Sequence, residues 1–217
     1  MEPENDDDGQ QTAPERTRTV VIGCGLSGMA VAAELNRQGV ESIVVSGPVP
    51  DADAIRDAAA EPGVFPEQEE LRRVLQGYLS SHRLDVRGDS PAQDLSPASP
   101  PGLQPSPIPG TGRWAVRTGR TLLLADTIVL TSCSLSDLRR LARDLGAGSW
   151  PGAVAALREI GVYFVGVGGT ALPTVRALVR QAKATGAAIA EVTLPASPRA
   201  AAGAPAAKSG WPRQPAR

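Results

Sequence analysis

An α/β fold built on a mainly parallel sheet is what this sequence predicts, and three observations carry the prediction. Thr19-Val20-Val21-Ile22 and Ser42-Ile43-Val44-Val45-Ser46 are short apolar runs rich in β-branched residues, the composition of strands buried on both faces. Between them residues 26–38 carry Met29, Val31, Ala32 and Leu35 with helical periodicity, and Gly39 supplies a stop. The first run passes into that helix through a glycine-rich turn, so residues 19–46 make one βαβ unit, right-handed by strong precedent.

The remaining elements follow in order. Residues 67–81 place Leu71, Val74, Leu75, Tyr78 and Leu79 on one stripe of a surface helix. Leu84-Asp85-Val86 reads as a short strand, and residues 113–117 and 121–124 flank Thr118-Gly119-Arg120 as a hairpin. Residues 127–130 form another buried strand, 135–145 a helix capped by Ser134 or Ser136, 151–160 a shorter helix, 162–165 a strand and 171–192 a long Ala-rich helix. This succession is that of an α/β protein. Residues 1–17 read as a disordered acidic arm and 195–217 as a disordered Ala/Pro tail, with 18–194 a single domain. A Pro-rich excursion is expected over 88–112, far longer than the usual connection of about 4–6 residues.

Composition excludes several classes of function. Lys+Arg 22 against Asp+Glu 23 leaves a net charge of −1, so no electrostatic excess points to nucleic acid or to an anionic membrane surface. No apolar run approaches the roughly 20 residues of a spanning helix. The acidic start lacks the basic and apolar regions of a secretory signal, and a cytoplasmic location is expected. Cys24, Cys133 and the single histidine, His82, have no metal-ligand spacing, so no metal site is expected.

The turn itself, Gly23-Cys24-Gly25-Leu26-Ser27-Gly28, is G-x-G-x-x-G set between a strand and a helix, the context in which this hexad signals a dinucleotide-binding unit. Gly23 permits the tight turn, Gly25 lets a pyrophosphate approach the backbone, and Gly28 lets helix and strand pack closely. A structural glycine turn without a ligand is the competing reading. Such folds place Asp or Glu at the end of the second strand to bind ribose hydroxyls, whereas here that position is Ser46. A hydroxyl cannot act as a bidentate anion. Glu41 precedes the strand and Asp51 and Asp53 follow a Pro-containing turn, so none is an obvious replacement. A 2′-phosphorylated dinucleotide would meet no arginine beside Ser46.

Residues 19–46 resemble the N-terminal FAD-binding segment of the flavoprotein oxidoreductases that include flavin-containing monooxygenases and Baeyer–Villiger-type enzymes. Three later segments are similar to the same family. Phe65-Pro66 with the helix through Tyr78 and Leu84-Asp85-Val86 resembles its approach to the flavin adenine. Trp114-Ala115-Val116-Arg117 with residues 121–130 resembles its β-meander and the following strand, and residues 161–166 resemble its late strand. The resemblance implies a Rossmann-like sheet with a short antiparallel hairpin inserted as a meander, and FAD as cofactor. Carried over by position, Gly23, Gly25, Ser27 and Gly28 lie at the pyrophosphate, Ser46 at the ribose, Thr131 in the cradle, and Gly166 and Gly168 near the flavin.

This sequence departs from the family at two cradle positions, with Ser46 in place of the acid and Thr131-Ser132-Cys133 in place of Ala-Thr-Gly. The inserted NAD(P)H domain of full-length members has no counterpart, and G-x-G-x-x-G occurs once. The resemblance therefore implies a truncated, FAD-dependent, monooxygenase-like oxidoreductase of secondary metabolism. It would be reduced by a separate flavin reductase and act on a small hydrophobic substrate. A second hypothesis is a flavoprotein fold that has lost redox function and serves a non-redox step, such as cyclisation of a polyketide-like substrate, or acts as an accessory protein. A third, suggested by the Pro-rich stretch, is an incomplete product that folds poorly. No general acid or base stands out: Cys24 reads as a small residue filling the turn, Cys133 has no nameable base, and His82 follows a surface-helix pattern. Trp114 and Trp150 read as core anchors or pocket walls, and Arg72-Arg73 and Arg139-Arg140 as solvated helix faces.

Overall fold

The computed structural model describes residues 13–47, 66–98, 113–119, 121–131, 150–166 and 174–194. In chain order these form β1 (Glu15–Ile22), α1 (Leu26–Arg37), β2 (Ser42–Ser46), α2 (Pro66–Ser81), β3 (Asp85–Pro97), β4 (Trp114–Thr118), β5 (Leu122–Leu130), α3 (Trp150–Glu159), β6 (Val162–Phe164) and α4 (Val175–Thr193). Parallel pairings put the strands side by side as β3-β2-β1-β5-β6. The apolar runs fall on strands covered on both sides, as their lack of polar alternation requires. Val21, Val44, Val129 and Tyr163 face one layer, packed with α1, α2 and α4 through Leu35, Leu75 and Ile189. The alternate residues Val20, Ile43, Val45, Ile128 and Val162 face the other layer, where Val116 of β4 and Leu157 of α3 cover them. Strand geometry sends neighbouring side chains to opposite faces, so one short run serves both layers.

The antiparallel part is not a separate insertion. The strands expected at 121–124 and 127–130 are one strand, β5, whose first half pairs antiparallel with β4 while its length pairs parallel with β1. The short strand expected at Leu84-Asp85-Val86 likewise runs on to Pro97. Its start pairs parallel with β2 and its end antiparallel with β4. Strands β3 and β5 are thus shared, and β1-β2-β3-β4-β5 closes into a ring of pairings with β6 outside it.

Two sequence boundaries move as a result. Residues 88–97 of the expected Pro-rich excursion belong to β3, because a proline without an N–H is tolerated at a bulge or a strand end, and Pro91 and Pro97 sit at those two places. Residues 15–17 of the expected acidic arm belong to β1, paired with residues 123–125. The expected helix at 135–145, residues 99–112 of the excursion, the arm residues 1–12 and the tail from 195 lie outside the described residues. Among the described residues no helix is long and apolar enough to cross a membrane.

Candidate functional site

Parallel strands bring their C-terminal ends to one edge of the sheet, where ligands of open α/β folds bind. Here that edge gathers the turn after β1, Ser46 at the end of β2, Thr131 after β5 and Gly166 after β6. Gly23 adopts φ +121°, a left-handed conformation that glycine alone takes without cost. Its N–H donates to the Val45 carbonyl at 2.8 Å, which pins the turn to β2. A Cβ at Gly28 would overlap the Gly23 carbonyl, so the third glycine is what lets α1 begin directly over β1.

Gly25 differs from both. It is the N-cap of α1 in an extended conformation, and among the described residues no side chain caps it and a Cβ there would meet nothing within 4 Å. The first intrahelical bond runs from the Met29 N–H to the Gly25 carbonyl at 3.0 Å. The N–H groups preceding it therefore have no partner within the helix and sit at the positive end of the helix dipole. This is a bare, electropositive backbone surface of the kind that takes phosphate oxygens.

The other expected positions frame this surface, though not all as direct ligand groups. The Thr131 hydroxyl donates to the carbonyls of Ile22 (3.0 Å) and Gly23 (3.1 Å), so it braces the turn. Gly166, at φ +74°, lies against Ser27: a Cβ there would come within 2.5 Å of the Ser27 hydroxyl oxygen. Its N–H donates to Gln181 Oε1 at 3.1 Å. Gly168, Cys133 and the side chain of Trp150 lie outside the described residues. Cys24 is half-buried with Sγ 3.7 Å from Ser46 Oγ. The Ser46 hydroxyl donates to the Gly88 carbonyl of β3. At that point the β2–β3 register jumps from Val45 opposite Arg87 to Ser46 opposite Pro91, and Gly88, Asp89 and Ser90 bulge out beside the turn. Sequence reading missed this bulge, since nothing in Gly88-Asp89-Ser90 marks a strand continuing on either side.

The other candidates are structural. His82 stacks on Tyr78 with centroids 4.1 Å apart, and Trp114 donates from Nε1 to the Ile160 carbonyl at 3.0 Å. At the opposite end of β5 and β6 a cavity of about 160 Å³ is lined by Arg113, Asp126, Arg158, Tyr163 and Thr193. Burial raises the Tyr163 phenol above its ordinary value, and Arg158 and Arg113 pull it back down.

No family model matches the chain, and no curated protein matches it. Among solved structures it is similar to a thioredoxin reductase from Gloeobacter violaceus, at 14% identity over 55% of this chain and 37% of that chain with a TM-score of 0.36. It is also similar to a flavin-containing monooxygenase from Stenotrophomonas maltophilia, at 18% identity over 54% of this chain and 38% of that one, TM-score 0.34. A ferredoxin-flavin thioredoxin reductase from Clostridium acetobutylicum matches at 11% identity over 75% of this chain and 63% of that one, TM-score 0.38. The chain spans well under half the length of the first two. At scores of this size the fold assignment stands on the strand pairings and turn geometry described above.

Proposed function

We propose that the chain binds FAD, with the pyrophosphate over Gly25 at the start of α1, and belongs to a flavin-dependent oxidoreductase. The observation that carries the reading is the contrast between the glycines: Gly23 and Gly28 are required by the packing, while a Cβ at Gly25 would meet nothing within 4 Å among the described residues. A residue without a side chain at a spot with room for one is what close approach of a ligand to the backbone explains. The residues present fit the group. The α1 N-terminus offers N–H donors, Thr131 and Gly23 fix the turn, and Ser27 against Gly166 brings the end of β6 to the same edge.

When bound, FAD supplies electron and hydride transfer. The chain's own groups bind and orient: backbone N–H groups hold the phosphates, and the Thr131 hydroxyl keeps the turn from relaxing. A separate flavin reductase, a small hydrophobic substrate, a cytoplasmic setting and a place in secondary metabolism are parts of this proposal. A second reading, a flavoprotein fold serving a non-redox or accessory role, is favoured by Ser46, whose neutral hydroxyl is already committed to Gly88.

The test is visible absorbance of the full chain after incubation with FAD and desalting. Wild type retains flavin absorbance. Gly25→Val, whose side chain meets nothing among the described residues, keeps a cooperative melt lowered by no more than the roughly 1 kcal/mol of a valine at an N-cap, and loses the flavin. A wild-type protein that stays colourless sinks the FAD reading, and a Gly25→Val variant that retains flavin moves the site elsewhere.

A further inference from the structure

The end of β2 carries no carboxylate for a ribose, and the β3 bulge that meets Ser46 through Gly88 has Asp89 as its next residue. Ser46 Oγ donates to the Gly88 carbonyl, so its remaining capacity toward a ligand is that of a neutral acceptor. The next residue, Asp89, begins about 3.8 Å along the chain from Gly88. The register jump at Val45/Ser46 is what turns residues 88–90 out of the ladder there. Ser46 in turn contacts Cys24 of the glycine turn, so contacts run from the residue beside Gly25 through Ser46 to Gly88, whose chain neighbour is Asp89.

Among the described residues the other nearby acids are excluded by position or commitment, while Asp51 and Asp53 lie outside them. Glu41 lies at the opposite end of β2, its carbonyl accepting from the Thr19 N–H, about 16 Å away at strand rise. Asp85 is bonded to Arg87 at 2.6 and 2.9 Å. Asp89 is exposed and has no ion pair among the described residues.

Resting on the reading that the glycine turn holds a pyrophosphate, we infer that Asp89 is the ribose-binding carboxylate of this site, supplied by the β3 bulge instead of the end of β2. A carboxylate there accepts from the ribose hydroxyls of an adenosine diphosphate moiety and repels a 2′-phosphate, so the site selects dinucleotides with an unmodified adenosine ribose.

Calorimetric titration of the full chain with ADP and with 2′-deoxy-ADP tests this. Wild type binds ADP more tightly than 2′-deoxy-ADP. Asp89→Asn loses roughly 10- to 100-fold in ADP affinity, the size of a hydrogen bond to a charged group, and no longer separates the two ligands. Asp89→Glu recovers part of the preference. If Asp89→Asn keeps wild-type affinity and preference while Gly25→Val abolishes binding, the role of Asp89 is overturned and the pyrophosphate site stands. If wild type does not bind ADP, or Gly25→Val binds it equally, the pyrophosphate reading falls and takes this inference with it.

Discussion

At Gly28 even one methyl group has nowhere to go, because it would occupy the space of the Gly23 carbonyl oxygen with the Thr131 hydroxyl 3.3 Å away. Gly28→Ala therefore forces α1 off β1 at the centre of the larger core. Overpacking against backbone costs about 1–3 kcal/mol, and the upper half of that range is expected because a carbonyl cannot change rotamer. Urea titration checks it: the Gly28→Ala midpoint falls clearly below wild type, while Gly25→Val, three residues away, lowers it by less, about the 1 kcal/mol by which an N-cap prefers glycine to valine. Equal losses at both positions would contradict the division of labour among the three glycines.

At the scale of an element, α2 ends in a way its sequence does not announce. The Leu84 N–H donates to the Leu79 carbonyl at 3.0 Å and the Arg83 N–H to Ser80 at 3.2 Å, the paired bonds of a Schellman termination. That motif needs a left-handed residue, and here it is Arg83 at φ +52° instead of glycine. A left-handed L-residue costs about 1–2 kcal/mol, part of which glycine gives back through its freer unfolded chain. Arg83→Gly is thus expected to stabilise the protein by about 0.5–1 kcal/mol, read as a raised urea midpoint with unchanged slope. A lower midpoint would mean that the Arg83 side chain contributes more than its backbone costs.

Over the whole molecule, the sheet is tied across its polar edge by charge. The Arg87 guanidinium on β3 forks onto Glu15 at the start of β1, with two bonds of 2.7 Å between strands that do not pair with each other. Those bonds hold the Glu15 carboxyl below the ordinary glutamate value of 4.5, and partial burial opposes them. The unfolded chain consequently takes up this proton first. The associated stability is present above about 4.5 and is lost as pH falls through the lower folded value. Glu15→Gln is expected to flatten the decline of the urea midpoint over that acid range, while leaving the neutral-pH fold intact. An unchanged decline would assign acid sensitivity to other carboxylates.

Much of this protein is written in local sequence. Val20, Val21, Val44 and Val45 declare doubly buried strands because both neighbours in each run must be apolar, and Gly23 to Gly28 declare the strand-to-helix turn because Gly23 takes a positive φ and Gly28 must pass the Gly23 carbonyl, both demands met within six residues. What tertiary structure alone decided are the non-local pairings. Strand β3 runs through Pro91 to Pro97, which composition reads as loop, because β2 pairs with its first part and β4 with its last. The same pairing turns Gly88-Asp89-Ser90 into a bulge beside Ser46, placing a carboxylate where the second strand has none. No local pattern encodes that placement, because it depends on the register of two strands separated by about 40 residues of chain, and register is set by the whole sheet.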